Sequence, residues 1–483
     1  MTISNEKRWL ALYLLCIGEL MIVLDTTIVN VALPSIREDL RFTEASLVWV
    51  VNAYMLTYGG FLLLGGRLGD LFGQRRMFLS GITLFTLASL VCGLSGSQWL
   101  LVGARAVQGL GGALVSAIAL SLIMDLFTEA GERAKAMGVY GFVCAAGGSL
   151  GAMLGGVLTS AFNWHWVFLV NLPIGALVYA ACLVLLPAGR GHAAGQRLDI
   201  AGAVTITASL MLAVYAIVYG NQAGWTSAQT LGLLAGAAVL LAAFLGIEGS
   251  IRSPLMPLAL FRLRNLATAN VVGALWAAAM FAWFFISALY MQLVLGYNAM
   301  QIGLAFLPAN LIMAAFSLGW SAKLVMRFGL RLPLAAGLAL AAAGLALFAL
   351  APVDGSFVIH VLPGMTLLGI GCGMALNPVL LAAMSDVAPT ESGLASGIAN
   401  TSFMMGGALG LAVLASLAAA RSENLHAAGA APAAALTGGY HAAFIAGALF
   451  AAVAALLSAM LLRKKTSTTE GEPSWATQSS IGN

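Results

Sequence analysis

Three charged side chains sit where the chain is otherwise apolar: Glu19, Asp25 and Arg105. The two acids belong to Glu19-Leu-Met-Ile-Val-Leu-Asp25-Thr-Thr-Ile-Val-Asn30-Val-Ala-Leu-Pro34, which closes an apolar run begun at Trp9. About 20 apolar residues cross a bilayer core roughly 30 Å thick. At about 1.5 Å of rise per residue, Glu19 comes near mid-membrane and Asp25 into the far third. An acid there costs about 2.5–3.5 kcal/mol on insertion scales. Each therefore reads as part of an ion or substrate pathway, or as a buried acid paired with a neighbouring helix. Arg105 lies about two turns in from the far end of its own segment, at a depth similar to Asp25. A lone intramembrane arginine pairs or faces a cavity, so Asp25 and Arg105 are expected to face each other, directly or through water. They form either a fixed structural pair or a carboxylate whose proton affinity changes as the site opens. A nearby cation favours the charged form, and desolvation the neutral one.

The elements that hold these residues follow from composition. The chain has 483 residues, 61% hydrophobic and 8% charged, where a soluble domain is about a quarter charged. It reads as an all-α polytopic membrane protein. Spans are expected near 9–31, 46–65, 77–95, 99–123, 134–160, 165–187, 199–219, 228–247, 268–291, 301–320, 333–351, 357–383, 394–420 and 440–462, fourteen transmembrane helices in all. The first run is long enough to span and lacks a cleavage motif at its end, so it is retained as a helix. Of the 22 Lys and Arg residues, 18 fall on the loops that share a side with the N-terminus and three on the other side. By the positive-inside rule both termini are cytoplasmic, in a multi-pass protein of the cell (inner or plasma) membrane. The net charge of +4 belongs to this topology and points to no nucleic-acid partner. Cys16, Cys92, Cys144, Cys182 and Cys372 lie in apolar runs without metal-ligand spacing and read as packing residues, so no metal is expected.

The chain repeats itself. Gly66 to Gly81 aligns without gaps on Ala322 to Gly337, and Glu132 to Gly151 on Glu391 to Gly410, with offsets of 256 and 259 residues. Two parallel six-helix bundles explain this: residues 1–187 and 265–463, with two extra helices and linkers in 188–264 and a polar cytoplasmic tail in 464–483. Such repeats place a substrate site between the halves at mid-membrane. In the second copy Met365 stands where the first has Arg105, so this chemistry belongs to the first half alone.

Other motifs carry two readings each. Gly66 to Arg76 joins helices two and three. Glycines permit a tight turn there, Arg75 and Arg76 suit the inner interface, and Asp70 can accept from them or from a helix N-terminus. Topogenic arginines alone would leave Asp70 unexplained. Gly147, Gly151 and Gly155 form a small-residue stripe on helix five, serving either ordinary packing or a conformational change. Helix nine, from Leu275 to Gln292, is rich in aromatics and methionine. It offers a cavity wall suited to apolar or cationic ligands, or a face toward lipid. The expected cavity residues are Glu19, Asn52, Tyr54, Trp276, Phe281, Phe284, Tyr290, Gln292, Asn310, Asn377 and Asn400.

These motifs carry a resemblance. Asp25-Thr-Thr-Ile-Val-Asn-Val-Ala-Leu-Pro34 resembles the helix-one signature of the fourteen-span drug–proton antiporters of the major facilitator superfamily, a family of multidrug exporters. Gly66 to Arg76 is similar to the superfamily's loop motif, and Arg105-Ala-Val-Gln108-Gly109 to its helix-four motif. Gly138 with Gly147, Gly151, Gly155 and Gly156 resembles the antiporter motif of helix five, although Ala152 stands where that motif usually has proline. Trp164 to Pro173 and Gly393 to Thr401 are similar as well. The resemblance implies proton-coupled export of small lipophilic or cationic molecules by alternating access. It assigns proton and substrate coupling to Asp25 and Arg105, and a conformational latch to Gly66, Asp70, Gly73, Arg75 and Arg76. Glu19 lies outside the signature. Its assignment to the coupling region and cavity rests on depth alone.

No lysine follows a glycine, so there is no phosphate-binding loop for ATP. A proton gradient is the expected drive, without a cofactor. One proton moving down about 100 mV yields roughly 2.3 kcal/mol, enough for about a fiftyfold substrate gradient. Alternatives are a proton-coupled importer, or a carrier of a specific metabolite or siderophore, with the same fold. A membrane-embedded enzyme is more remote. The five histidines lie in loops or at span ends and cannot cluster in the bilayer core.

Overall fold

The computed structural model describes residues 5–127, 129–186, 199–251, 254, 256–316, 320–387 and 392–462. The surroundings of Asp70, Gly138, Cys144 and Ala152, and the expected tail 464–483, lie outside the described residues. The described regular structure is helical throughout. It runs through α1 (Asn5–Leu40), α2 (Glu44–Phe72), α3 (Gln74–Gly93), α4 (Gln98–Leu126), α5 (Ala130–Ala161), α6 (Trp166–Leu169), α7 (Asn171–Leu185), α8 (Ile200–Ala223) and α9 (Ala228–Ser250). The second part comprises α10 (Arg264–Leu289), α11 (Ala299–Ala315), α12 (Ser321–Phe328), α13 (Arg331–Phe348), α14 (Leu362–Met384), α15 (Ser392–Ala427) and α16 (Pro432–Leu461).

Local chemistry sets several helix ends. Thr43 caps α2 and Asn298 caps α11, each in a reciprocal box with the residue three places on, which satisfies backbone donors that a helix start leaves open. Gly73 separates α2 from α3 at φ 94°, a conformation that side-chain-bearing residues adopt only under strain.

Among the described residues, twelve helices are long and apolar enough to cross a bilayer. The expected spans outside that set are 134–160, which falls on the 32-residue α5, and 301–320, where α11 has only 17 residues. Span 165–187 is matched by the apolar stretch Trp166–Leu185, with a one-residue turn at Val170 between α6 and α7. Two other expectations are refined. Helix nine does not continue as a plain α-helix to Gln292, because residues Tyr290–Val294 form a π-helical turn. The stretch from Ser422 to Gly439, between the expected spans 394–420 and 440–462, is helical except around residues 428–431. Alanine favours helix more than any other residue, and Pro432 suits a first turn.

The packing falls into two groups. In the first, α1 lies against α5 and α7, while α4 packs on α2 and α3. In the second, α10 lies against α15 and α16, while α14 packs on α13 and α11. The pairing of α1 with α5 thus recurs as α10 with α15, and α3 with α4 as α13 with α14. The groups meet along two seams, α2 with α15 and α5 with α11, and α1 also touches α10. Helix α8 packs on α9 and lies against both α2 and α15, so the inserted pair flanks the first seam.

Candidate functional site

Between the two groups lies a cavity of about 200 Å³. Its α1 wall is Glu19, Ile22, Val23, Thr26, Thr27 and Asn30, a spacing that keeps one helix face toward the space. Tyr54 and Tyr58 of α2 and Gly148 of α5 complete the first group's share. The second group contributes Trp276, Met280, Phe281 and Phe284 from α10, Asn310 and Met313 from α11, Cys372 and Leu376 from α14, and Phe403 and Met404 from α15. Aromatic and methionine surfaces dominate this wall. Among the described residues, Glu19 of α1 is the one charged side chain that lines the cavity.

Asp25 is elsewhere. Six residues of α-helix turn it roughly 120° away from Glu19, into the interior of the first group, where it is fully buried. Its Oδ2 accepts from Arg105 Nη1 at 2.5 Å. Its Oδ1 accepts from Gln108 Nε2 at 2.8 Å and from Asn171 Nδ2 at 2.9 Å. Arg105 also donates from Nε to the Val50 carbonyl at 2.9 Å and from Nη1 to Gln108 Oε1 at 2.7 Å. Ser89 accepts from both Gln108 and Asn171. The guanidinium lies over the Tyr54 ring at 4.3 Å and near Phe168 at 5.7 Å. A buried ion pair survives desolvation only when such further bonds satisfy its remaining donors and lone pairs. This network ties α1, α3, α4 and α7 together and reaches α2 through Val50. Ser89 escapes sequence reasoning, because uncharged polar residues in apolar runs have no obligatory partner, and Asn171 enters it only within the Trp164–Pro173 motif. Gln108 was visible only as part of a motif.

Of the expected cavity residues, Glu19, Tyr54, Trp276, Phe281, Phe284 and Asn310 line the space. Five others do not. Asn52 is buried in the seam and donates to the Ala408 carbonyl of α15 at 3.0 Å. Tyr290 turns away to donate to the Pro352 carbonyl at 2.7 Å, and Gln292 follows it in the π-helical turn. Asn377 and Asn400 are half-buried off the wall. In each case the helix register, which depth alone cannot supply, decides the direction.

The helix-five glycines divide by partner. A Cβ on Gly147 would meet Val23 at 2.9 Å, and one on Gly155 would meet the Ile28 carbonyl at 2.7 Å; Gly151 faces Thr27 and Leu24. These three seat α5 on α1. Gly156 instead faces α11, where a Cβ would meet the Ala299 carbonyl at 2.9 Å. Beside it, Met300 N donates to Ser160 Oγ at 3.0 Å. The segment expected to join helices two and three is helical except at Gly73; at the start of α3, Arg75 Nη2 donates to the Leu183 carbonyl at 2.7 Å, Gln74 bonds Asp125 at 2.7 Å, and Arg76 is exposed. A Cβ on Gly66 would meet open space.

The family model described as Major Facilitator Superfamily matches residues 15–411. The chain belongs to this superfamily. It is 38% identical to "Puromycin resistance protein pur8" of Streptomyces alboniger over 460 residues, covering 95% of this chain and 91% of that one. It is 39% identical to "Cephamycin export protein CmcT" of Amycolatopsis lactamdurans over 416 residues, covering 86% and 85%. Among solved structures, a bacterial homologue of the human lysosomal transporter Spinster, inward-facing and unoccupied, superposes with a TM-score of 0.66 at 17% identity, covering 95% of this chain and 98% of that one. That likeness concerns the fold. This superfamily member is a multi-pass membrane transporter whose relatives include antibiotic resistance and export proteins, and a cavity bounded by both helix groups suits that class.

Proposed function

We propose that this transporter is a proton-coupled exporter of small, drug-like lipophilic molecules, of the fourteen-span drug–proton antiporter type. The observation that carries the reading is Tyr54, which borders the cavity while its ring lies 4.3 Å from the Arg105 guanidinium. A solute in the cavity and the charge state of the Asp25–Arg105 pair therefore act on one side chain. Protonating Asp25 removes the counter-charge of Arg105, which keeps the Val50 carbonyl and Gln108 Oε1 as neutral acceptors. The guanidinium thus loses its counter-charge on protonation but keeps these two hydrogen-bond acceptors.

Alternating access then consists of the two groups rocking about the cavity as rigid lobes, with α8 and α9 as the inserted pair. The count of fourteen adds α5, and α11 with α12, to the twelve long apolar helices. Both termini are assigned to the cytoplasm by the distribution of basic residues. Gly73, Arg75 and Arg76, with Gly66 and Asp70, act as the latch near the ends of α2 and α3.

Proteoliposomes loaded with a pH-sensitive dye test the coupling. Adding a transported antibiotic to vesicles with an imposed proton gradient should release protons in the wild type and leave empty vesicles unchanged. Drug movement with no proton movement would reject antiport. Faster drug uptake into intact cells carrying the protein would favour import.

A further inference from the structure

Three buried polar atoms on cavity residues have no hydrogen-bond partner among the described residues: Glu19 Oε2, the Tyr54 hydroxyl and the Trp276 indole N–H. Glu19 is only 4% exposed and Trp276 1%. A buried polar group left unpaired costs about 1–3 kcal/mol, and more when charged. Such groups also occur away from the cavity, at Trp283 and Asn270 for example; what sets these three apart is that they border one space and can meet one ligand. The hydroxyls of Ser116 and Tyr140 are within hydrogen-bonding reach of the Glu19 carboxylate, yet neither supplies a positive charge. Among the described residues, no basic side chain lines the cavity. Arg105, a buried cation of the first group, is held by Asp25 behind the Tyr54 ring.

Building on the exporter reading, we propose that Glu19 is the anchor for the protonated amine of an aromatic, monocationic substrate, and that Asp25 does not touch substrate. The amine N–H donates to Glu19 Oε2. The flat body lies among Trp276, Phe281 and Tyr54, whose ring faces attract a cation and stack on an aromatic. The Trp276 N–H donates to an acceptor oxygen on that body. Met280, Met313 and Met404 border the same space, and their flexible thioethers adapt to bodies of differing outline. At about 200 Å³ the space is smaller than ordinary ligand pockets of about 300–1,000 Å³. A large substrate must therefore part the two groups to enter, while the anchor stays fixed on α1.

Dansylcadaverine, which pairs a primary amine with an aromatic sulfonamide, and its neutral N-acetyl derivative form a matched probe pair. Their fluorescence reads binding to the full-length protein in nanodiscs. The wild type should bind the amine at least about tenfold more tightly than the acetylated probe, as a charge-assisted hydrogen bond implies. Glu19→Gln should erase that preference by weakening the amine alone, and Glu19→Asp should keep part of it. Equal affinity for both probes in the wild type, or a preference that survives Glu19→Gln, overturns the proposal. So does a loss of both probes alike in Glu19→Gln together with no preference in Glu19→Asp. Export of the acetylated probe from vesicles is read separately. If it persists while the amine preference is absent, the exporter reading stands and the anchor falls.

Discussion

The ring of Tyr54 covers the guanidinium of Arg105 at 4.3 Å, and the same residue borders the cavity. It separates two carboxylates with different surroundings. Asp25 is held by three side chains away from the solute space, whereas Glu19 faces that space with one oxygen unpartnered. Removing the ring should weaken coupling more than it weakens the fold. A desolvated cation–π contact is worth about 2 kcal/mol, so Tyr54→Leu should slow proton-coupled transport by roughly tenfold or more, while Tyr54→Phe keeps most of it. Initial rates in proteoliposomes under a fixed pH gradient check this; equal rates for the two variants would remove Tyr54 from the coupling path.

The Asp25–Arg105 pair can be dissected by a double-mutant cycle. Asp25→Asn leaves a buried guanidinium without its counter-charge, a change that costs about 3–5 kcal/mol in buried pairs. Its thermal midpoint should fall and its gradient-driven transport should vanish. Adding Arg105→Gln should recover much of the stability and none of the transport. Retained gradient-driven transport in Asp25→Asn would rule out this carboxylate as the proton carrier.

Gly156 and Ser160 sit where α5 meets the start of α11. A valine at position 156 would press on Ala299 and Met300, so Gly156→Val should hold that seam open and lower turnover severalfold without unfolding the protein. Gly232→Ala is the matched control, since its added Cβ meets nothing within 4 Å. Accessibility of a cysteine reporter in the seam distinguishes the two. Normal turnover in Gly156→Val would show that this seam need not close.

The bond from Met300 N to Ser160 Oγ at 3.0 Å brings the two groups within cross-linking reach. In a background lacking the native cysteines, Ser160→Cys with Met300→Cys should cross-link in high yield with a short bifunctional reagent and stop transport. Reduction should restore it if the linker is cleavable. Failure to cross-link in any condition would place these helix ends apart.

Much of this arrangement can be read from isolated charges. Asp25 and Arg105 must find partners in hydrocarbon, so their meeting follows from depth and connectivity. Their orientation does not. Six residues of helix put Glu19 and Asp25 on different faces, and only packing decides which face meets the cavity. Asn171 and Ser89 carry no charge to betray them. Phe403, Met404 and Met313 look like any lipid-facing residue until the second group is folded against the first. Asn52 misleads in the opposite sense: its polarity suggests a solute contact, but its amide N–H is taken up by a carbonyl of the opposite group. Tyr290 is lost to the cavity because the helix widens into a π-helical turn there, which periodicity does not reveal.

Helix α8 has a consequence for how a solute arrives. It seats Thr207 against Gly60 of α2, and at its other end Asn221 donates to the Ser416 carbonyl of α15 at 2.8 Å. Acyl chains are thereby kept off the α2–α15 boundary. Among the described residues no helix covers the α5–α11 boundary in the same way, so a solute that arrives from the bilayer is expected on that flank rather than past α8.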